Sequence, residues 1–230
     1  MPPPVLTPPN SGINPNPGFN HSFYFGGRHG SAEVSPVPSP NSRINLRRQL
    51  HVGAWNIQSL SDDDRLPVLS AELRRMKLAI AALSEVRRPG EGTTSSGGYT
   101  YYWSGRKDGL RREGVAVAIL NHLCPAVVRV TPVDERIMVV RMKHTLGFIS
   151  LIAVYAPTEM GSLDSKEMFY AKLDSITDQC PRGDILIVLG DFNAVTGSER
   201  DGYEACVGPH GSGNRNVNSS YFLDYARSRK

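Results

Sequence analysis

Four apolar runs in this chain each stop at a single polar residue. Asp184-Ile185-Leu186-Ile187-Val188-Leu189 opens after Arg182-Gly183 and leads into Gly190-Asp191-Phe192-Asn193. Phe148-Ile149-Ser150-Leu151-Ile152-Ala153 leads into Val154-Tyr155-Ala156-Pro157. Leu78-Ala79-Ile80-Ala81-Ala82 leads into Leu83-Ser84-Glu85-Val86, and a run beginning near Leu50-His51-Val52 closes on Ala54-Trp55-Asn56-Ile57. Short apolar runs bounded by turn residues read as buried strands, the one ending at Leu189 as a fully buried strand. A buried strand cannot carry a bare carboxylate without a partner. Asp191 therefore points into a polar cleft or caps the following loop, and taken alone it leaves both readings open. Alternation sets Asp191 and Asn193 on one side of an extended backbone. Four strands finishing on Asn56, Glu85, Tyr155 and Asp191 point to one site at a common sheet edge.

The first 48 residues differ from the rest. They hold ten of the 17 prolines, with many Ser, Asn and Gly. Such a segment buries too little surface to offset its ordering entropy, so residues 1–48 are expected to form a disordered tail and 49–230 the folded domain. From residue 49 strands alternate with helices. Strands are expected near 50–57, 78–84, 99–104, 114–120, 127–133, 136–142 and 147–154, followed by the run into Asp191. A helix is expected after Ser61, with Asp62, Asp63 and Asp64 in its first turn, Arg74, Arg75 and Lys77 in its last, and Leu66, Leu69 and Leu73 as its apolar stripe. A second covers about 162–179, with Phe169, Leu173, Ile176 and Cys180 in line, and a third begins after Ser219 or Ser220. The fold class that follows is α/β, a two-sheet β-sandwich flanked by helices. Trp55 is assigned to the core. Cys124, Cys180 and Cys206 form neither a metal-type pair nor a disulfide framework and read as buried reduced thiols.

Mean hydropathy is −0.30, and no stretch approaches the apolar length of a membrane span. The N-terminus lacks a basic-then-apolar leader pattern. An intracellular protein is expected, nuclear in preference to cytoplasmic, with no membrane partner; the sequence says nothing of protein partners. Segment 86–113 carries Arg87, Arg88, Arg106, Lys107, Arg111 and Arg112, interleaved with Tyr99, Tyr101, Tyr102 and Trp103. Basic residues around aromatics suit a nucleic-acid backbone; the alternative is a solvated hairpin whose aromatics belong to one sheet face. The net charge of +4 permits DNA as a partner.

The ordered set Trp55-Asn56-Ile57, Leu83-Ser84-Glu85-Val86, Val154-Tyr155-Ala156-Pro157-Thr158 and Gly190-Asp191-Phe192-Asn193 resembles the endonuclease/exonuclease/phosphatase family. Within it the text is similar to endonuclease domains of non-LTR retrotransposons and to craniofacial development protein 2-like proteins. Asp134-Glu135-Arg136-Ile137 and Gly208-Pro209-His210-Gly211 fit that branch. The resemblance spans roughly residues 49–230 and implies a Mg²⁺-dependent endonuclease acting on DNA phosphodiesters, with Mn²⁺ as a substitute cation. It implies Glu85 as metal ligand with Asn56 beside it, Asp191 as general base, Asn193 as holder of the scissile phosphate and Tyr155 as donor to a phosphate oxygen. From the residues alone, Glu85 also reads as a surface carboxylate paired with Arg87 or Arg88, and Tyr155 as a lid on the core. Gln58 stands where many family members place an acid. The family's downstream Asp strand and its Ser-Asp-His have no match, since no Asp-His pair occurs in these 230 residues; His210 is the nearest substitute. Leu223-Asp224-Tyr225 is rejected because it lies in a helical pattern. A domain incomplete at its C-terminus, with impaired activity, is expected. The alternatives are a catalytically inactive nucleic-acid-binding or interaction remnant, and a phosphatase or lipid phosphodiesterase on the same fold.

Overall fold

The computed structural model describes residues 43–46, 49–200, 202–208, 210–211 and 213–229. Residues 1–42, and with them most of the expected tail, lie outside the described residues, as do Arg47 and Arg48.

Two mixed sheets face each other. The first contains β1 (Val52–Asn56), β2 (Ile80–Ser84), β3 (Glu91–Ser96), β4 (Tyr99–Ser104) and β5 (Val115–Leu120), in the order β1-β2-β5-β4-β3. The second contains β6 (Val127–Pro132), β7 (Ile137–His144), β8 (Gly147–Tyr155) and β9 (Ile185–Asp191), in that order. Helices α1 (Leu66–Arg75), α2 (Leu163–Gln179) and α3 (Val217–Ser228) lie outside the sheets. The expected sandwich with flanking helices is the observed architecture.

Alternation explains why the strands read as continuous apolar runs. Ile80 and Ala82 of β2 enter the inter-sheet core with Val115, Val117 and Ile119, opposite Met138, Val140, Leu151 and Ala153. Their neighbours Ala81 and Leu83 face the other way and pack under Leu66, Leu69 and Leu73 of α1. In the second sheet Ile137, Ile152 and Val154 turn outward against Phe169, Tyr170 and Leu173 of α2 and Tyr225 of α3. A strand covered on both faces has no polar side to display.

Several expectations need correction. The strand leading to Asp191 is not fully buried: Ile185 is 45% and Leu186 39% exposed, because β9 is an edge strand paired only with β8. Trp55 lies on β1, an edge strand of the first sheet, and is 38% exposed, so it is not a core residue. Asp62, Asp63 and Asp64 precede α1, which begins at Leu66 with Pro67 in its first turn; a proline there needs no donor and has a helical φ already set. Lys77 lies beyond the end of α1. Helix α3 begins at Val217, before Ser219, capped by the Asn216 side chain on the Ser219 amide. The three cysteines are free but half-buried. Ile44 lies within the segment read as tail, yet it is 2% exposed, donates its amide to the Lys143 carbonyl at 2.9 Å and bridges to His144. The packed body therefore reaches back past residue 49.

Strand β3 has no counterpart among the expected strands. Its sequence, Glu91-Gly92-Thr93-Thr94-Ser95-Ser96, has no apolar alternation, because it is an edge strand with both faces largely in solvent. Gly92 is required there: a Cβ would stand 2.4 Å from the Trp103 indole that lies across it.

Candidate active site

Two parallel pairings bring the polar strand ends together. Asn56 is in register with Ser84, the residue before Glu85, and Tyr155 is in register with Asp191. Strands β1 and β9, the adjacent edges of the two sheets, lie against each other. Gly190 permits the second pairing to close: its φ is 152°, and a Cβ would fall 1.9 Å from the Val154 carbonyl oxygen. Only glycine fits at that step.

The side chains meet at Asn56. Its Nδ2 donates to Glu85 Oε1 at 2.8 Å and to Asp191 Oδ2 at 3.0 Å. Its Oδ1 accepts the Gln58 amide at 3.1 Å. One amide thus holds two carboxylates from different sheets. The Arg87 guanidinium donates to Glu85 Oε2 at 2.7 Å. Asp191 Oδ1 accepts the Asn193 backbone amide at 2.9 Å, and Asn193 Nδ2 donates to the Ala156 carbonyl at 2.9 Å. Tyr155 is buried beneath this group, with the Arg136 guanidinium 5.3 Å above its ring and donating to its carbonyl at 3.2 Å. Asn56, Glu85, Tyr155, Asp191 and Asn193 therefore occupy one end of the sandwich.

The backbone is strained around this group. Among the described residues five non-glycine residues have positive φ, and four of them are Gln58 at 56°, Glu85 at 55°, Arg87 at 53° and Asn193 at 49°. Each such conformation costs about 1–3 kcal/mol and persists only where surrounding contacts over-determine it. Here those contacts are the hydrogen bonds of the Asn56–Glu85–Asp191 group.

The Asn56 hydrogen bond, reinforced by Arg87 and opposed by burial, holds the Glu85 carboxyl below the ordinary glutamate range. Burial first, then the Glu85 charge, pushes the Tyr155 hydroxyl up. A depressed carboxyl stabilises the fold above its ordinary range, and that contribution is lost as pH falls through the lowered value. Asn56→Ala is expected to raise the Glu85 titration, read by carboxyl-carbon NMR without divalent cations, and to move the loss of its contribution to higher pH. An unchanged Glu85 midpoint would show that Asn56 does not hold it.

The donor chemistry fits a hard cation. Two carboxylates converge on the Asn56 amide nitrogen, and Mg²⁺ is bound through one or two carboxylates and several waters. Among the described residues no group of three or more His, Cys, Asp or Glu comes together, so a dedicated all-protein cage is not what this site offers.

The basic residues divide. Arg87 is paired with Glu85. Arg88 lies 4.2 Å from the Trp103 ring and pairs with Asp63. Arg106 pairs with Asp108 and Glu113. Lys107, Arg111 and Arg112 are exposed, with the Arg111 guanidinium 3.5 Å from the Ser61 carbonyl oxygen. Tyr99 and Tyr101 are core residues, and Tyr102 and Trp103 are half-buried against the sheet, so the aromatics belong to packing. Sequence reading noted Arg136 only as part of Asp134-Glu135-Arg136-Ile137 and gave it no site role, and it missed Asn216 and Asn218, whose side chains donate to the Asn193 carbonyl at 2.9 and 3.0 Å. The only local signal for that pair was an Asn-x-Asn at a helix start. His210 is exposed.

A model of the Endonuclease/Exonuclease/phosphatase family matches residues 53–215. Craniofacial development protein 2 of Bos taurus is 30% identical over 148 residues, covering 64% of this chain and 25% of that protein. Craniofacial development protein 2 of Tragulus javanicus is 26% identical over 179 residues, covering 78% of this chain and 30% of that one. The chain thus spans under a third of the length of these relatives. The endonuclease domain of TRAS1, a telomere-specific non-LTR retrotransposon, superposes with a TM-score of 0.52 at 18% identity over 78% of this chain and 71% of its own. The AP endonuclease LMAP from Leishmania major gives 0.53 at 13% identity, over 77% and 66%. These two share the fold. No helix among the described residues is long and apolar enough to cross a membrane.

Proposed function

This chain belongs to the endonuclease/exonuclease/phosphatase family, and we propose that its site is built for divalent-cation-dependent hydrolysis of DNA phosphodiesters. The observation that carries this reading is the Asn56 amide joining Glu85 and Asp191 across the two sheets. Glu85 would hold Mg²⁺, or Mn²⁺ in its place, with Asn56 beside it able to join only by turning its amide oxygen from the Gln58 amide toward the cation; when bound the cation neutralises phosphate charge and stabilises the leaving oxygen. Asp191 is oriented by the Asn193 amide and by Asn56 to take the proton of an attacking water. Tyr155 keeps its proton at neutral pH and can donate to a phosphate oxygen. Asn193 gives one amide proton to Ala156 and has a second to offer the phosphate. The endonuclease named in the TRAS1 structure supports DNA as the substrate. A retrotransposon ancestry and a nuclear location accord with the same reading.

A second reading has its own observation. Lys107, Arg111 and Arg112 are exposed cations that can contact phosphates whether or not the site turns over, so the chain could bind nucleic acid without cutting it. Both readings require DNA, and the test is a gel shift with duplex DNA across a salt series. Replacing Lys107, Arg111 and Arg112 together by Ala is expected to flatten the plot of log affinity against log salt by up to about 0.9 for each phosphate left unneutralised. Failure to bind DNA, with sugar phosphates or phosphoinositides bound at the Glu85 site instead, would favour a phosphatase or lipid phosphodiesterase.

A further inference from the structure

Helix α3 begins beside the candidate site, and its first turn reaches into it. Asn218 is 1% exposed. Its Nδ2 donates to the Asn193 carbonyl at 3.0 Å and to the Pro157 carbonyl at 2.9 Å. One buried amide therefore ties the loop leaving β8, which follows Tyr155, to the loop leaving β9, which carries Asn193. Asn216 adds a second donor to the same Asn193 carbonyl at 2.9 Å, while its own Oδ1 accepts the Val195 and Ser219 amides, each at 3.0 Å. Helix α3 is held in place independently. Glu159 accepts the Val217 and Asn218 backbone amides at 3.0 and 3.3 Å, and Lys166 donates to the Glu159 carbonyl at 2.8 Å. The positive end of the helix is thus already satisfied by a carboxylate.

We infer that Asn218, seconded by Asn216, is a positioning residue that locks the left-handed backbone of Asn193 and so aims the Asp191 carboxylate. The inference rests on the reading of Asp191 and Asn193 as the reacting pair. Asn193 has φ 49°. Two donors on its carbonyl fix the Asn193–Ala194 peptide unit on one side of the Asn193 Cα, and the N–H of the Phe192–Asn193 unit on the other side holds Asp191 Oδ1. The chain of contacts runs from Asn218 through the two peptide units joined at the left-handed Asn193 Cα to Asp191 and on to Asn56. The amide orientation of Asn218 is set by the two carbonyls it faces, since reversing it would oppose oxygen to oxygen. Its Oδ1 is buried without a hydrogen-bond partner. An acceptor left in that condition is unfavourable, and it makes sense where the residue is kept for its donors. Asn218 touches no reacting atom.

The test uses the full 230-residue chain and no substrate, so it can fail separately from the proposed activity. Asn218→Ala and Asn218→Asp are compared with Glu159→Gln, which loosens the same helix start without touching the Asn193 carbonyl. Removing the clamp is expected to speed hydrogen exchange of the Asn193 backbone amide by about tenfold, the factor that one hydrogen bond supports. Glu159→Gln is expected to lower the thermal midpoint while leaving Asn193 exchange unchanged. Equal acceleration in both kinds of variant would reduce Asn218 to a helix stabiliser, and an unmoved Asn193 amide in the Asn218 variants would overturn the inference outright. Should neither Asn218 variant fold, the wild type decides. The Asn218 side-chain protons should exchange at least about tenfold more slowly than those of exposed Asn214, and equal rates would overturn it.

Discussion

With supercoiled DNA and Mg²⁺, the 230-residue chain is expected to nick no faster than in EDTA. A version supplied with an Asp-His pair beside the polar ends of β1 and β9 is expected to cleave in an Asp191-dependent way. Asp191, Asn56 and Tyr155 are assembled, but a phosphodiester hydrolase also needs groups that complete proton transfer and stabilise the developing charge. General acid–base catalysis contributes about 10²–10⁴ in rate, and each preorganised electrostatic contact about 10²–10³. The Ser-Asp-His that the family resemblance implies has no match in these 230 residues, and on the proposed reading these residues alone lack several such factors together. In the supplemented protein Asp191→Asn should lower cleavage by about 10²–10⁴, because the amide keeps the shape and hydrogen bonds but cannot take a proton. Robust Mg²⁺-dependent nicking by the 230 residues alone, abolished by Asp191→Asn, would show that the assembled residues suffice.

Much of this architecture was legible because sandwich strands covered on both faces leave a plain record. Val115 to Leu120 and Phe148 to Val154 are apolar at every step but Ser150, and both strands stand within one residue of where the pattern set them. The meeting of four strand-end residues at one edge was legible for a related reason. Asn56, Glu85, Tyr155 and Asp191 are polar interruptions at strand ends, and parallel pairing carries strand ends to the same edge. What failed has equally physical causes. β3 has a polar sequence because an edge strand need not bury a face. Apolar Ile185 and Leu186 read as buried, although they lie on an edge. Positive φ at Glu85 and Arg87 leaves no mark in the sequence, since neither residue is the glycine that such a backbone favours. Asn218 reaches partners 25 and 61 residues away, and no local pattern encodes a bond of that span. The basic segment was half legible: charge composition identified Arg88 and Arg106, but their pairing with Asp63, Asp108 and Glu113 is a property of the fold.

Glu85→Gln is expected to abolish specific divalent-cation binding while leaving the fold intact. Glu85 lies mostly shielded at the site, with Asn56 on one oxygen and Arg87 on the other. A cation must compete with the Arg87 guanidinium, so binding should be weak, with waters completing the coordination. Glutamine keeps the size and an oxygen but removes the charge, which for a hard cation is the larger part of the attraction. If strand ends from two sheets assemble one cation-dependent site, titrating Mg²⁺ into both proteins and following the backbone amides of Asn56, Glu85 and Asn193 by NMR will reveal it. Saturable, EDTA-reversible shifts are expected at these three positions in the wild type and none in Glu85→Gln. The same shifts in both proteins, or shifts in neither, would refute a shared cation site at the strand ends.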